Sequence, residues 1–176
     1  LRADGAVSFG KIIEKSWVID DGWKPDIAKK GKKQSNIQRI EVRGEEFKYF
    51  VNNTLVRTGT LEMEIGNLAL RCCGEQQVGF ENVRITNTDT KKAVFEDDFT
   101  SPSEKWDQDK DFLFETVFAD GKFTINSNYN NECNWSTSSG LKITSNCEIE
   151  LSSVWLSGEL ANYGLMILND DENYYS

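Results

Sequence analysis

With 176 residues, 38% of them hydrophobic and 11% aromatic, the chain is long enough for one well-buried core and too short for several. Its 29 acidic and 20 basic side chains leave a net charge of −9, which repels nucleic acid and other polyanions, and no apolar run approaches the roughly 18 residues of a membrane span. Histidine is absent, so Ser-His-Asp and Cys-His catalysis and every His-containing zinc site are excluded.

Short segments rich in Val, Ile, Phe, Tyr and Thr recur along nearly the whole chain and read as strands. They cover residues 6–13, 37–43, 46–51, 54–58, 67–73, 78–86, 112–118, 122–126, 141–144, 147–156 and 163–168. Turn chemistry separates them, at Asp4-Gly5, Arg43-Gly44-Glu45, Asn52-Asn53, Asp120-Gly121, Ser139-Gly140 and Ser157-Gly158. Only residues 23–33 differ, with Pro25, Gly31 and five lysines between positions 24 and 33, and they read as a solvated loop. In 37–43, alternation sets Gln38, Ile40 and Val42 on one face and Arg39, Glu41 and Arg43 on the other, the pattern of a half-buried antiparallel strand. Residues 46–56 follow as a hairpin with an Asn-Asn tip. So many short strands predict an all-β, two-sheet antiparallel sandwich or jelly roll.

The four cysteines, Cys72, Cys73, Cys133 and Cys147, include no C-x-x-C pair, which removes zinc-ribbon and thioredoxin-like readings. Their even number suits disulfides in an oxidising, extracellular compartment. Cys133 and Cys147 are the expected pair, because the turn-rich stretch 134–140 would bring two antiparallel strands together. Cys72 and Cys73 are neighbours on a strand, so one thiol faces the core and the other faces outward.

A resemblance emerges from several motifs taken jointly. The run Ile37-Gln38-Arg39-Ile40-Glu41-Val42-Arg43-Gly44, then Phe47-Lys48-Tyr49-Phe50-Val51-Asn52-Asn53, then Val78-Gly79-Phe80-Glu81-Asn82-Val83-Arg84-Ile85, resembles the C-terminal half of a concanavalin A-like lectin/glucanase sandwich, the jelly roll shared with laminin-G-type modules. Phe95-Glu96-Asp97-Asp98-Phe99-Thr100 with Trp106, Asp120-Gly121-Lys122-Phe123-Thr124-Ile125, and Gly164 to Ile167 with 169–175 resemble the beginning of the same family. The halves stand in the opposite order: 1–87 is the C-terminal half, 88–94 a linker, and 95–176 the N-terminal half of the same or the next sandwich. Read cyclically, Asn173-Tyr174-Tyr175-Ser176 runs into Leu1-Arg2-Ala3-Asp4-Gly5 and restores a strand and turn from the middle of the family's domain. The resemblance therefore implies a jelly roll that is circularly permuted or completed between neighbouring units, with Leu1 and Ser176 as assembly ends. A tandem repeat, a head-to-tail polymer and a permuted monomer all fit, and a repeat or polymerising unit is the expectation. The initial leucine, with no basic-then-apolar leader before it, is read as processing or as excision from something longer.

Family 16 glycosidases share this sandwich and need carboxylates on alternate strand positions, a pattern of the type E-x-D-x-x-E. Glu62-Met63-Glu64 and Glu148-Ile149-Glu150 offer two acids each and lack the third, so the chain is expected to be non-catalytic. Acid clusters at Asp97-Asp98 and Asp170-Asp171 are weak candidates for calcium, without the spacing of a dedicated loop. Sugars stack on indole and phenol rings, which makes Trp23, Tyr129 and Trp135 a candidate glycan platform, while Trp106 is assigned to the core by its family motif. Asn52 and Asn134 head N-x-[ST] sequons in expected turns. The expected role is a structural or adhesive module of a surface protein or fibre, with copies of itself as partners and no nucleic acid. A free carbohydrate-binding lectin is the alternative, and a degenerate glycoside hydrolase comes third.

Overall fold

A computed structural model describes residues 1–13, 16–20, 22–61, 66–110, 112–128, 132–139, 141, 143, 146–159, 161–168 and 174–175; of these, 12, 13, 16–20, 174 and 175 are described by backbone alone. The strands are β1 Gly10–Ile13, β2 Ser16–Asp20, β3 Ser35–Arg43, β4 Glu46–Val51, β5 Thr54–Thr60, β6 Asn67–Cys73, β7 Gln76–Asn87, β8 Ala93–Asp97, β9 Phe114–Ala119, β10 Lys122–Ser127, β11 Cys133–Thr137, β12 Cys147–Gly158, β13 Tyr163–Leu168 and β14 Tyr174–Tyr175. They form an all-β antiparallel two-sheet sandwich, with no helix among the described residues. The larger sheet runs β5-β4-β3-β12-β7-β10-β9, with β8 also against β7; the facing sheet runs β11-β6-β13-β14-β1-β2.

Strand alternation does what the sequence pattern requires. On β3, Gln38, Ile40 and Val42 are buried while Ile37, Arg39, Glu41 and Arg43 lie on the outer face. The core fills the space between the sheets: Val42, Ile149, Leu151, Phe80, Ile85 and Ile125 from one side, Leu68, Leu70, Cys72, Leu165 and Ile167 from the other. At one end Phe99, Trp106, Phe118 and Phe123 pack with ring centroids 4.9–6.2 Å apart, a cluster in which each fully buried ring contributes about 2 kcal/mol. Phe99 holds a left-handed backbone (φ 54), which a bulky residue resists, and Asp97 stabilises it by accepting the Phe99 N–H at 3.0 Å.

The two sequence halves interleave. β12 sits between β3 and β7, registered to β3 from Cys147↔Val42 to Val154↔Ser35 and to β7 along its whole length. β7 in turn forks, pairing β10 through residues 76–80 and β8 through 83–86. The expected linker is thus a tight turn: Ala93–Asp97 returns as a strand, and Asn87 Oδ1 accepts the N–H groups of Asp89 and Thr90. Residues 134–137, read as part of a turn, belong to edge strand β11, whereas Leu141 and Ile143, read as strand, are buried without ladder partners. The lysine-rich loop exposes Lys29, Lys30, Lys32 and Lys33, but Lys24 is half-buried with Nζ donating to Val56 O at 2.8 Å, and the loop backbone is pinned: Ala28 N donates to Gly5 O, Gly31 N to Ala3 O and Lys33 N to Trp155 O.

Candidate functional site

The expected Cys133–Cys147 disulfide is not formed; Cys133 is bonded to Cys73. Cys133 opens β11 directly opposite Cys73 on β6, whereas Cys147 opens β12 in the other sheet with its side chain in the core. Packed sheets stand about 10 Å apart, beyond the roughly 7 Å a disulfide spans between Cα atoms. Cys72 faces the core and Cys73 faces outward, as alternation predicts. Burial pushes the Cys72 thiol up to about 12 and the Cys147 thiol up to about 11, which makes both poor nucleophiles.

The calcium reading fails at Asp97. Its carboxylate is buried, with Oδ1 on the Phe99 N–H and Oδ2 accepting the Trp106 indole N–H at 3.2 Å. Asp97 therefore ties the turn to the ring cluster. Asp98 faces solvent and accepts both the N–H and the hydroxyl of Thr100, hydrogen bonds that hold its carboxyl below the usual range. Asp170 and Asp171 lie outside the described residues, among which no three His, Cys, Asp or Glu side chains gather as metal ligands.

Among the described carboxylates, Glu148 sits on the outer face of β12 opposite Glu41, and both pair with Arg39. Glu150 stands between Arg39 and Arg84 in register. Glu62 and Glu64 lie outside the described residues.

At the sequons, Asn52 does occupy a hairpin tip (φ 48), but its amide is engaged: Nδ2 donates to Asn36 Oδ1 at 2.8 Å and Oδ1 accepts the Ile37 N–H at 3.0 Å. Asn134 lies in strand β11 rather than in a turn, and its amide nitrogen is buried. A transferase acting on the folded chain has no access to it.

Two of the three residues of the expected aromatic platform lie among the described residues. Trp135 packs over Ala69, Met166 and Leu168 on the outer face of the β6–β13 pair. Trp23 is 41% exposed in the loop before Lys24, with the Arg2 guanidinium 5.1 Å from its ring centroid. Tyr129 lies outside the described residues.

Trp23 instead borders a cavity of about 220 Å³ that also meets Arg71, Gln38, Tyr49, Gly164 and Leu165. Gln38 crosses the sandwich from β3 to β13. Its Oε1 lies 2.8 Å from where a Cβ on Gly164 would stand, which accounts for a glycine there. Gln38 is 2% exposed; its Oε1 accepts the Tyr49 hydroxyl at 3.1 Å, and its Nε2 has no partner among the described residues. An unsatisfied buried donor is costly, so an acceptor entering this cavity would be favoured. Burial also raises the Tyr49 phenol, which stays protonated as the donor to Gln38. The sequence pattern already marked Gln38 as core-facing; what it did not disclose was the glycine opposite.

A second concavity of about 480 Å³ lies on the outer face of the larger sheet. Gln77 and Asn126 are joined there at 2.7 Å, and Glu81 accepts from Ser35 at 2.7 Å with Lys122 at 3.5 Å. Among the described residues, no aromatic ring lines it.

No model of a known protein family matches the chain, and no curated protein matches its sequence.

Proposed function

We propose that the chain is a concanavalin A-like jelly-roll sandwich acting as a non-catalytic structural or adhesive module outside the cell, a repeat or subunit whose main partner is another copy of itself. The observation that carries this reading is the position of β12. This strand from the second half of the sequence lies at the centre of the larger sheet, between β3 and β7 of the first half. Halves that complete each other so deeply within one chain have the complementarity needed to do so between chains. The Cys73–Cys133 disulfide, which joins the two halves, suits an oxidising compartment. No helix among the described residues is long and apolar enough to cross a membrane.

The test is electron microscopy with analytical ultracentrifugation over a wide concentration range. The expected result is concentration-dependent head-to-tail association with a regular repeat. A protein that stays monomeric throughout and binds a glycan in a Trp23-dependent manner would refute it. That outcome would favour the lectin alternative, which rests on the exposed Trp23 ring beside the Gln38 cavity.

A further inference from the structure

Two segments cross between the sheets on different sides of the sandwich. Residues 22–33 leave the smaller sheet just before β1, where Lys24 and Val7 exchange main-chain hydrogen bonds at 2.8 and 2.9 Å, and reach the larger sheet where Lys33 N donates to Trp155 O at 2.9 Å. Residues 104–110 cross elsewhere: Asp107 N donates to Thr137 O on β11, and Asp109 O accepts the Thr116 N–H of β9. Register fixes their separation. Lys33 lies beside Trp155, Trp155 pairs with Val78, Val78 with Ile125, Ile125 with Thr116, and Thr116 is bonded to Asp109. Lys33 and Asp109 are thus the two ends of one line of adjoining backbones, five strand spacings or about 24 Å apart.

These two straps carry opposite charge. Lys29, Lys32 and Lys33 are exposed, and among the described residues none of them has a carboxylate partner, whereas Lys30 is paired with Asp26. Glu104, Asp107 and Asp109 are equally exposed and have no cation partner among the described residues. The Debye length is about 10 Å at 0.1 M salt, so charges about 24 Å apart on one molecule do not neutralise each other. The basic strap is also pre-organised, with its backbone held at Gly5, Ala3 and Trp155, so presenting its lysines costs little further ordering. Unlike patches at opposite edges of one molecule make a heterologous contact: each union uses one patch from each copy and leaves the other two open for further copies.

We propose that the basic strap of one copy docks on the acidic strap of the next, with Lys29, Lys32 and Lys33 set against Glu104, Asp107 and Asp109. The proposal rests on the self-association reading above and supplies its interface. A second copy is the occupant because the chain itself displays the complementary acids, exposed and uncompensated.

The net charge of −9 gives the test a sign. Copies that met through any other surface would repel overall, and added salt would strengthen their association; a contact between the straps is weakened by salt. Sedimentation of the full chain should show the association constant falling about tenfold or more between about 50 mM and about 300 mM NaCl. The variants Lys29→Glu/Lys32→Glu/Lys33→Glu and Glu104→Lys/Asp107→Lys/Asp109→Lys should each be monomeric alone. Their equimolar mixture should assemble again, because each reversed strap meets its complement on the other variant. Association that strengthens with salt, survives either reversal or is not restored by mixing overturns the proposal. Loss of heparin binding in the lysine variant with unchanged self-association also overturns it, by making a polyanion the occupant. Melting curves check that both variants fold; if one does not, the single changes Lys29→Glu and Glu104→Lys replace it, each expected to weaken association about threefold. A wild type that is monomeric at every concentration removes the self-association reading and this contact together, whereas assembly that persists in both variants removes this contact alone.

Discussion

Replacing Cys73 and Cys133 together by alanine tests the covalent tie between the two halves. The bridge closes a sequence separation of 60 residues. In the chain-entropy account a loop of that length restricts the unfolded ensemble by about 4 kcal/mol at 25 °C. Against a total stability of about 5–15 kcal/mol, that is a large fraction. With a urea slope near 2 kcal/mol/M the midpoint should fall by about 2 M, and the melting temperature by roughly 8–16 °C. The slope should rise as well, because the unbridged unfolded chain exposes more surface. Urea titration of the wild type and the double variant reads both quantities, and peptide mapping of the oxidised protein checks the pairing directly. A loss below about 1 kcal/mol with an unchanged slope would refute the reasoning, as would a mapped Cys133–Cys147 peptide.

Asp97→Ala should destabilise the protein by about 1.5–3 kcal/mol, since it strips a charged acceptor from the Trp106 and Phe99 N–H groups; the wild-type melting temperature should be the same in calcium and in EDTA, measured by scanning calorimetry. Cys72 and Cys147 should resist a thiol reagent at pH 8 until urea unfolds the chain, when two thiols per molecule react. The same burial predicts an alkaline limit. Folded thiols lie at about 11 and about 12 against an ordinary 9.0, and the Tyr163 phenol at about 12 against 10.0, so their contribution is complete below about pH 9 and is lost as pH rises through the folded values. Urea midpoints from pH 7 to 11 should be flat and then fall. Gly164→Ala should destabilise by pressing on the Gln38 amide, and adding Gln38→Ala should recover part of the loss, with a coupling of roughly 0.5–3 kcal/mol in a double-mutant cycle.

The regular parts of the fold were legible because alternation is a local property. The β3 pattern identified its buried face correctly, and the Asn52-Asn53 and Asp120-Gly121 turns occur where positive φ was expected. Pairings between distant segments were not legible. Cys73 and Cys133 are ladder neighbours across 60 residues, and nothing near either one records the register that brings them together. The stretch around Trp135 misled for a related reason: its Asn and Ser residues favour turns locally, and pairing with β6 overrides that preference. At Asp97 the error was chemical. An acidic pair resembles a cation site until the indole that one carboxylate holds is found nine residues along the chain.

The inner face of β3 brings these threads together. Ile40 and Val42 at one end meet apolar neighbours, while Asn36 and Gln38 at the other are equally buried and polar. Local rules place such residues in a core only when something receives them. Asn36 is received: its Oδ1 accepts the Lys29 N–H and the Asn52 amide, and its Nδ2 donates to Lys29 O and Gln34 O. Gln38 is received only in part, by Tyr49, and its free donor lies at the cavity bordered by Trp23, Arg71 and Gly164, so an acceptor entering there would complete the set.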